Sequence, residues 1–136
     1  MVNNNTIIAF VFLYLFVDIL YVYMSRDYYN SKVKKIQGKP MTLNNYKYLS
    51  ALISYIILGV VWYYLIGTYI TKEKTFIEVI QRGLLIALAI YGVFNTTLFV
   101  MFDGWDIYIT IRDTLWGITW ICLSAVLYYL YIKSQK

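Results

Sequence analysis

Four apolar stretches, each long enough to cross a lipid bilayer, constrain this chain more than any other feature. They run over residues 6–24, 48–70, 76–102 and 107–132. A helix needs about 20 apolar residues to span the hydrocarbon core. Continuous runs of this length favour helices over membrane β-strands, which alternate polar and apolar residues over about 10 positions. The sequence therefore predicts an all-α fold, in which residues 1–136 form a single up-down-up-down bundle of four transmembrane helices.

The composition agrees with an integral membrane protein and excludes several kinds of site. Hydrophobic residues make up 61% of the 136 residues and charged residues 14%, whereas a soluble domain carries roughly 25% charged residues. The chain has no His and a single Cys, Cys122. Zinc sites and Ser-His or Cys-His nucleophilic sites are therefore excluded, and we expect neither a metal nor another cofactor.

Basic residues are concentrated after the first apolar stretch. Six of them lie in the 25–47 segment and none precedes the first stretch. The positive-inside rule therefore predicts that 25–47 is a cytoplasmic loop, in which Gly38 and Pro40 mark a turn. The lysines of 32–39 could bind anionic lipid, although a plain positive-inside loop explains them equally well. Despite the net charge of +5, no folded basic domain lies outside the membrane segments, so nucleic acid is not expected as a partner.

Polar residues recur within the apolar stretches at one common depth. Counted from the "DGWD" turn at 103–106, Asp113 lies about six residues into the fourth stretch, which is roughly 10 Å at ~1.5 Å per residue. Asn95 lies at nearly the same depth on the antiparallel neighbour. The predicted polar layer, to which all four helices contribute, consists of Asp18, Tyr55, Asn95, Arg112 and Asp113, with Tyr91 one turn deeper.

Of the two adjacent charges in this layer, Asp113 is the better candidate for the bundle interior. Arg112 and Asp113 are about 100° apart around a helix, so they cannot both face one neighbour. Asp113 shares a stripe with Thr110, Gly117 and Ser124, whose small side chains suit close helix contact. We therefore expect Asp113 to point inward.

The partners of the two charges follow from their depth. Asp113 is expected to meet Asn95, with Asp18 and Tyr91 within reach directly or through water. Arg112 is expected either to turn toward Asp18 or to extend to the lipid headgroups. Such a layer could fix the register of the helices, form a cavity for a proton, an ion or a polar headgroup, or make an oligomer contact.

The segment 91–117, "YGVFNTTLFVMFDGWDIYITIRDTLWG", resembles the signature of an uncharacterised family of small predicted membrane proteins. That family is a domain of unknown function with four predicted helices, found in bacteria and large DNA viruses. Its pattern is Tyr-Gly-x-x-Asn, then Gly-Trp, then Asp-x-x-Trp-Gly. The matching residues here are Tyr91, Gly92, Asn95, Gly104, Trp105, Asp113, Trp116 and Gly117.

The resemblance extends to the first helix. It places a pattern Asp on Asp18 and a pattern Tyr on Tyr28 or Tyr29, whereas Tyr21 stands where many members have Trp. Arg112 is not part of the pattern. The resemblance implies a fold and a set of residues but no reaction, and the high Tyr, Asn, Lys and Ile content would suit a viral member.

Three classes of function are consistent with these features. The first is a structural or assembly component of a membrane, for example the internal membrane of a virion, with other membrane or capsid proteins as partners. The alternative is a small oligomeric transporter, channel or lipid-binding protein that uses the polar layer. An enzyme with Asp18 and Asp113 as acid and base is disfavoured, because no His, metal set or activated nucleophile accompanies them, and no catalytic residue is assigned.

Overall fold

Residues 3–135, which a computed structural model describes, form four long helices. They are α1 (Asn4–Gln37), α2 (Asn45–Gly67), α3 (Phe76–Met101) and α4 (Ile107–Ser134). Each is long and apolar enough to cross a membrane, and residues 3–135 contain no strand. The predicted all-α membrane bundle is therefore confirmed. Residues 1, 2 and 136 of the predicted domain lie outside the described part of the chain.

Helix α1 continues far beyond its predicted end at residue 24. Residues 25–37, predicted to be loop, form a polar continuation that we call the α1 extension. The helix ends where Gly38 adopts a left-handed conformation, with φ 75°, and donates its N–H to the Lys34 carbonyl. The prediction was wrong because loss of hydropathy shows where a helix leaves the lipid, whereas a capping glycine shows where the helix itself stops.

The other helix ends lie within three residues of the predicted ones, and capping side chains explain them. Asn44 and Asp106 accept hydrogen bonds from backbone N–H groups in the first turns of α2 and α4. Thr75 and Glu78 form a reciprocal capping box at the start of α3. These side chains satisfy N–H groups that the first turn of a helix leaves without partners. In the turn before α4, Gly104 has φ 80°, which favours glycine.

Two of the helices contain a π-helical turn. The turn Tyr63–Gly67 ends α2, and the turn Leu88–Gly92 lies in the middle of α3. A π-turn holds one residue more than an α-turn, so it shifts the faces of the segments on either side, and such turns are frequent at functional sites. The second one contains Tyr91, a residue of the predicted polar layer.

Helix α4 is the centre of the bundle. In the most apolar stretch of 18 residues of α4, 44% of the residues are buried, compared with 17% in the corresponding stretch of each other helix. It packs on all three of them, whereas the backbones of α1 and α3 do not approach each other. In the described part of the chain, α1 and α3 therefore interact through side chains alone.

The apolar core lies in the half of the bundle near the 71–75 connection, which we call the packed half. Helices approach closely there: a Cβ on Gly67 would overlap Ile7, and one on Gly83 would lie 3.2 Å from the Cys122 sulfur. By contrast, residues 45–58 of α2 contribute no buried side chain. The buried core comprises Ile7, Tyr14, Trp62, Ile66, Ile70, Val79, Ile86, Ala87, Trp120, Ile121, Ala125, Tyr128, Tyr129 and Ile132.

Candidate functional site

The carboxylate of Asp18 joins three helices in the other half of the bundle, which we call the polar half. Asp18 lies on α1 and is 4% exposed. Its Oδ1 accepts hydrogen bonds from the Tyr91 hydroxyl on α3 at 2.9 Å and from the Trp116 Nε1 on α4 at 3.0 Å. Both hydrogen bonds end on the same oxygen, and neither uses Oδ2. Tyr55, on α2, is half-buried and lies near this carboxylate.

Tyr91 is positioned by a glycine on the facing helix. Its ring lies against Gly117, where any Cβ would overlap the ring. Its hydroxyl is 3.1 Å from that of Tyr14. Because Tyr91 donates its own proton to Asp18, Tyr14 must donate to Tyr91. A hydrogen-bonded chain therefore runs from the packed half into the polar half, ending on the Asp18 carboxylate.

The second carboxylate, Asp113 on α4, is tied to α1 by two tyrosines. Asp113 is 8% exposed and points into the bundle. Tyr21 donates a hydrogen bond to its Oδ1 at 2.6 Å, and Tyr29 donates one to its Oδ2. Tyr21 also stacks on Trp116, with ring centroids 4.1 Å apart and planes within 6° of parallel. Since Tyr29 belongs to the α1 extension, the extension takes part in the site.

Arg112 lies beside this carboxylate, at the edge of the site. Its Nε is 3.4 Å from Asp113 Oδ1, and its side chain is 39% exposed. The guanidinium lies over the Tyr28 ring, 4.4 Å from the ring centroid. Its Nη2 is buried and has no hydrogen-bond partner within residues 3–135.

An ion pair also holds the α1 extension near its middle. Lys32 on the extension pairs with Asp106, the residue that caps α4. The hydrogen bond from the Lys32 ammonium, together with backbone N–H groups, keeps the pKa of Asp106 below its usual range. Because Asp106 stays ionised around neutral pH, the ion pair and the helix cap persist together.

A partly open cavity of about 150 Å³ lies between α1, the second half of α3 and the first half of α4. At about 30 Å³ per liquid water molecule, it has room for several waters or a small organic group. Two of its lining residues, Val22 and Phe94, are 45% and 61% exposed, and we therefore infer that the cavity opens between them. The lining contains two carboxylates, an amide, five aromatic rings and no basic side chain; it consists of Asp18, Tyr21, Val22, Tyr29, Tyr91, Phe94, Asn95, Asp113 and Trp116.

The cavity brings together four of the six polar residues predicted to form a layer. Asp18, Tyr91, Asn95 and Asp113 all line it, whereas Tyr55 and Arg112 lie beside it. The hydrogen bond expected between Asp113 and Asn95 is not formed. Asn95 is buried, but its amide donates to the Tyr91 carbonyl on its own helix at 2.9 Å, because the tyrosines of α1 already occupy the Asp113 carboxylate.

The predicted partners of Arg112 also need correction. The guanidinium neither pairs with Asp18 nor extends freely away from the bundle, because Asp113 and the Tyr28 ring hold it. The stripe predicted beside Asp113 is confirmed, since Thr110, Gly117 and Ser124 are all buried.

Depth reasoning missed Tyr21, Tyr29 and Trp116 as members of the site. The family signature contained a signal for two of them, since Trp116 and the tyrosine pair Tyr28 and Tyr29 belong to its pattern. Signature residues that do not line the cavity have structural roles. Gly104 allows the turn before α4, and Trp105 packs on Phe102 with ring centroids 6.3 Å apart.

Comparison with known proteins identifies a family and nothing more detailed. A family model described as "Predicted membrane protein (DUF2177)" matches residues 4–130. No curated protein and no solved structure matches the chain. The match extends over nearly the whole chain, so the predicted relation to an uncharacterised family of membrane proteins is confirmed.

Proposed function

Since the chain belongs to the DUF2177 family of predicted membrane proteins, we propose a function from the geometry of its cavity: the protein binds an ammonium-bearing amphiphile within the membrane. One observation supports this most strongly. The carboxylates of Asp18 and Asp113 face a single cavity whose lining includes no basic side chain. A buried carboxylate is stabilised by a cation that shares its low-dielectric surroundings.

The charges around the cavity favour a single positive charge in the ligand. With both carboxylates ionised, Asp18 and Asp113 contribute two negative charges, and the neighbouring guanidinium of Arg112 balances one of them. One negative charge is then left for a ligand to neutralise. The hydrogen bonds from Tyr91 and Trp116 both end on Oδ1 of Asp18, so neither of them occupies Oδ2.

The position of the mouth favours an amphiphile over a free ion. Val22 and Phe94, which flank it, are exposed apolar side chains on helices that span the membrane. A ligand entering between them would leave its apolar part in lipid and place its polar end among the carboxylates. Divalent calcium, in contrast, requires six to eight oxygen ligands in a close shell, which a cavity lined mainly by aromatic rings does not offer.

A structural role is the second candidate, and a specific observation favours it. Asp18 and Asp113 each accept two hydrogen bonds from other helices, so they already hold α1 against α3 and α4. In this case the layer fixes the register of the helices, as suits a structural or assembly component of a membrane.

Binding of dodecylamine to the purified protein in detergent micelles separates the two candidates. Dodecanol serves as the uncharged ligand of equal chain length. We expect saturable binding of dodecylamine only, weakened about tenfold or more by Asp18→Asn, because an ionic hydrogen bond is worth about 1.5–3 kcal/mol. The control is Asp27→Asn, which removes an exposed carboxylate from the same helix.

Two results would contradict amphiphile binding. One is equal affinity for dodecylamine and dodecanol, and the other is equal affinity of the two Asn variants for dodecylamine. A lowered unfolding temperature of Asp18→Asn, together with no binding in any variant, would support the structural role instead.

We also propose that the α1 extension and residues 38–44 face the cytoplasm. The support is the asymmetry of charge around the first span, with six basic residues after it and none before it. A single cysteine at Lys35, introduced on a Cys122→Ser background, provides the test. An impermeant thiol reagent should label Lys35→Cys only after intact cells are opened, and labelling of intact cells would reverse the orientation.

A further inference from the structure

We infer that the head of the bound amphiphile carries a hydroxyl group beside its ammonium, and that Asn95 is the residue that recognises this hydroxyl. The inference rests on the proposed function, because it specifies which ammonium-bearing amphiphiles the cavity prefers. Three features of the cavity support it: an amide oxygen that receives no hydrogen bond from the protein, neighbouring donors that are already in use, and a volume larger than an ammonium needs.

The side-chain oxygen of Asn95 is an acceptor without a donor. Asn95 lines the cavity and is 2% exposed. Its Nδ2 donates to the Tyr91 carbonyl at 2.9 Å, and because a carbonyl only accepts, this bond fixes which end of the amide is the nitrogen. Within residues 3–135 no donor reaches Oδ1, yet this oxygen is not among the fully enclosed polar atoms that lack a partner. Oδ1 therefore keeps accessible surface, and that surface belongs to the cavity.

The hydroxyl and indole donors of the lining are already used by the two carboxylates. Three hydroxyls and one indole N–H donate to Asp18 or Asp113; they belong to Tyr21, Tyr29, Tyr91 and Trp116. Turning one of them to Asn95 would remove a hydrogen bond from a buried carboxylate, and bonds to a charged group are worth more than bonds to a neutral amide. The donor for Asn95 therefore has to come from outside the protein, either from the ligand or from water.

The balance of charge requires that this second donor of the ligand be neutral. The two carboxylates and the guanidinium of Arg112 beside Asp113 leave one negative charge, which the ammonium neutralises. A second cationic group would place an uncompensated positive charge in low-dielectric surroundings. A hydroxyl is a small uncharged donor that also accepts, so it can pair with the oxygen of Asn95 and with the second N–H of the same amide.

The volume of the cavity allows a head larger than an ammonium. The cavity measures about 150 Å³, whereas a group of the size of a water molecule takes about 30 Å³. An ammonium alone would leave polar space, which water would fill. A hydroxyl on the neighbouring carbon occupies part of this space, and it replaces a water that bonds to Asn95. Displacing an ordered water keeps affinity where the ligand reproduces its hydrogen bonds, as the hydroxyl does here.

The test compares β-hydroxydodecylamine with dodecylamine, which has the same chain and no hydroxyl, by calorimetric titration of the purified protein in detergent micelles. We expect the amino alcohol to bind about threefold to tenfold more tightly, as one additional neutral hydrogen bond predicts. β-Methoxydodecylamine, which keeps the oxygen but cannot donate from it, should bind no more tightly than dodecylamine. Equal affinities of the amino alcohol and dodecylamine would overturn the inference and leave the proposed function intact.

Substitution of Asn95 shows whether this residue recognises the hydroxyl. In Asn95→Leu, which keeps nearly the same size but has no acceptor, the amino alcohol should lose its advantage, while dodecylamine should bind as it does to the unmodified protein. Asn95→Ala should remove the advantage in the same way, and it replaces Asn95→Leu if the larger side chain lowers the unfolding temperature. The control is Thr97→Val, which removes an exposed hydroxyl from the same helix and should keep the advantage.

Three further outcomes would contradict the inference. If the advantage of the amino alcohol persists in both Asn95 variants, the hydroxyl is bound elsewhere and the role of Asn95 is wrong. If the methyl ether binds as tightly as the amino alcohol, the cavity selects for size and not for a donor. If neither amine binds more tightly than dodecanol, the proposed function itself fails, and the inference fails with it. Unfolding temperatures of all variants are compared with that of the unmodified protein, so a misfolded variant is recognised as such.

Discussion

The two halves of the bundle solve the same physical problem in different ways. In the packed half, small residues such as Gly67 and Gly83 let helices approach until their side chains interlock. In the polar half, the backbones of α1 and α3 stay apart and long polar side chains bridge them, as Tyr91 does to Asp18. Lipid provides no hydrophobic force between helices, so association depends on close packing and on hydrogen bonds.

The difference between the halves indicates where stability and ligand binding reside. The buried core of the packed half contains no charged side chain and includes large rings, such as that of Trp62, which is 1% exposed. The polar half leaves a cavity of about 150 Å³ and places charged groups around it. We therefore expect substitutions in the packed half to reduce stability most, and substitutions in the polar half to affect the cavity more than the fold.

The largest loss of stability is expected from Trp62→Ala in the packed half. The substitution removes a buried ring and its hydrogen bond from Nε1 to the Ser124 hydroxyl, which is 3.0 Å long. Truncation of a buried Trp costs about 3–5 kcal/mol, which unfolding in mixed micelles with increasing SDS can measure. The control is Tyr64→Ala, which truncates an exposed ring nearby. Equal stability of the two variants would remove the basis for the comparison of the halves.

A smaller effect is expected from Gly117→Val, at the boundary between the halves. Any side chain at Gly117 displaces the Tyr91 ring and its hydrogen bond to Asp18, and overpacking of this kind costs about 1–3 kcal/mol. Gly92→Ala is the matched control, because its Cβ would lie 3.6 Å from the Leu88 side chain, an ordinary contact. Dodecylamine binding should be lost in the first variant and kept in the second. Retention of binding in both would show that Tyr91 does not shape the cavity.

Asp113→Asn should have a modest effect on stability and a local effect on structure. The amide retains one acceptor oxygen, so only one of Tyr21 and Tyr29 can still donate to this side chain, and interhelical bonds of this kind are worth about 0.6 to 2 kcal/mol. Hydrogen exchange of the α1 extension should accelerate, since Tyr29 holds it to α4. Asp103→Asn, at an exposed turn position, is the control. Unchanged exchange in Asp113→Asn would mean that the extension is held elsewhere.

The smallest change in stability is expected from loss of the ion pair between Lys32 and Asp106. Because the pKa of Asp106 is lowered in the folded protein, the pair stabilises the fold above the ordinary pKa of Asp, about 3.9, and this contribution is lost as the pH falls below that value. The unfolding temperature should therefore be insensitive to this group between about pH 5 and 8. Asp106→Asn should remove the part of the fall in unfolding temperature at acidic pH that the ion pair causes. If the unfolding temperature of this variant falls with pH as that of the unmodified protein does, the ion pair makes no contribution to acid stability.

How far the site could be predicted differs from residue to residue. Asp18 and Asp113 were placed at one depth from their distance to the helix ends, and both line the cavity. The partner of Asp113 was not predictable in this way, because Tyr29 lies in a segment whose polarity resembled a loop. Asn95 was assigned to face Asp113 from regular α-helical geometry, whereas a π-turn at Leu88–Gly92 precedes it and its amide is used by its own helix.

By itself the sequence determined that this chain is a membrane protein with four helical spans and that ionisable residues lie within them. Those properties depend on hydropathy and length, which neighbouring residues along the chain decide. The tertiary structure decided which oxygen each tyrosine reaches, how far α1 continues as a helix, and that α1, α3 and α4 enclose a cavity. These features depend on the rotation and separation of helices, and both are set by contacts between residues far apart in the chain, such as Tyr91 with Gly117 and Tyr29 with Asp113.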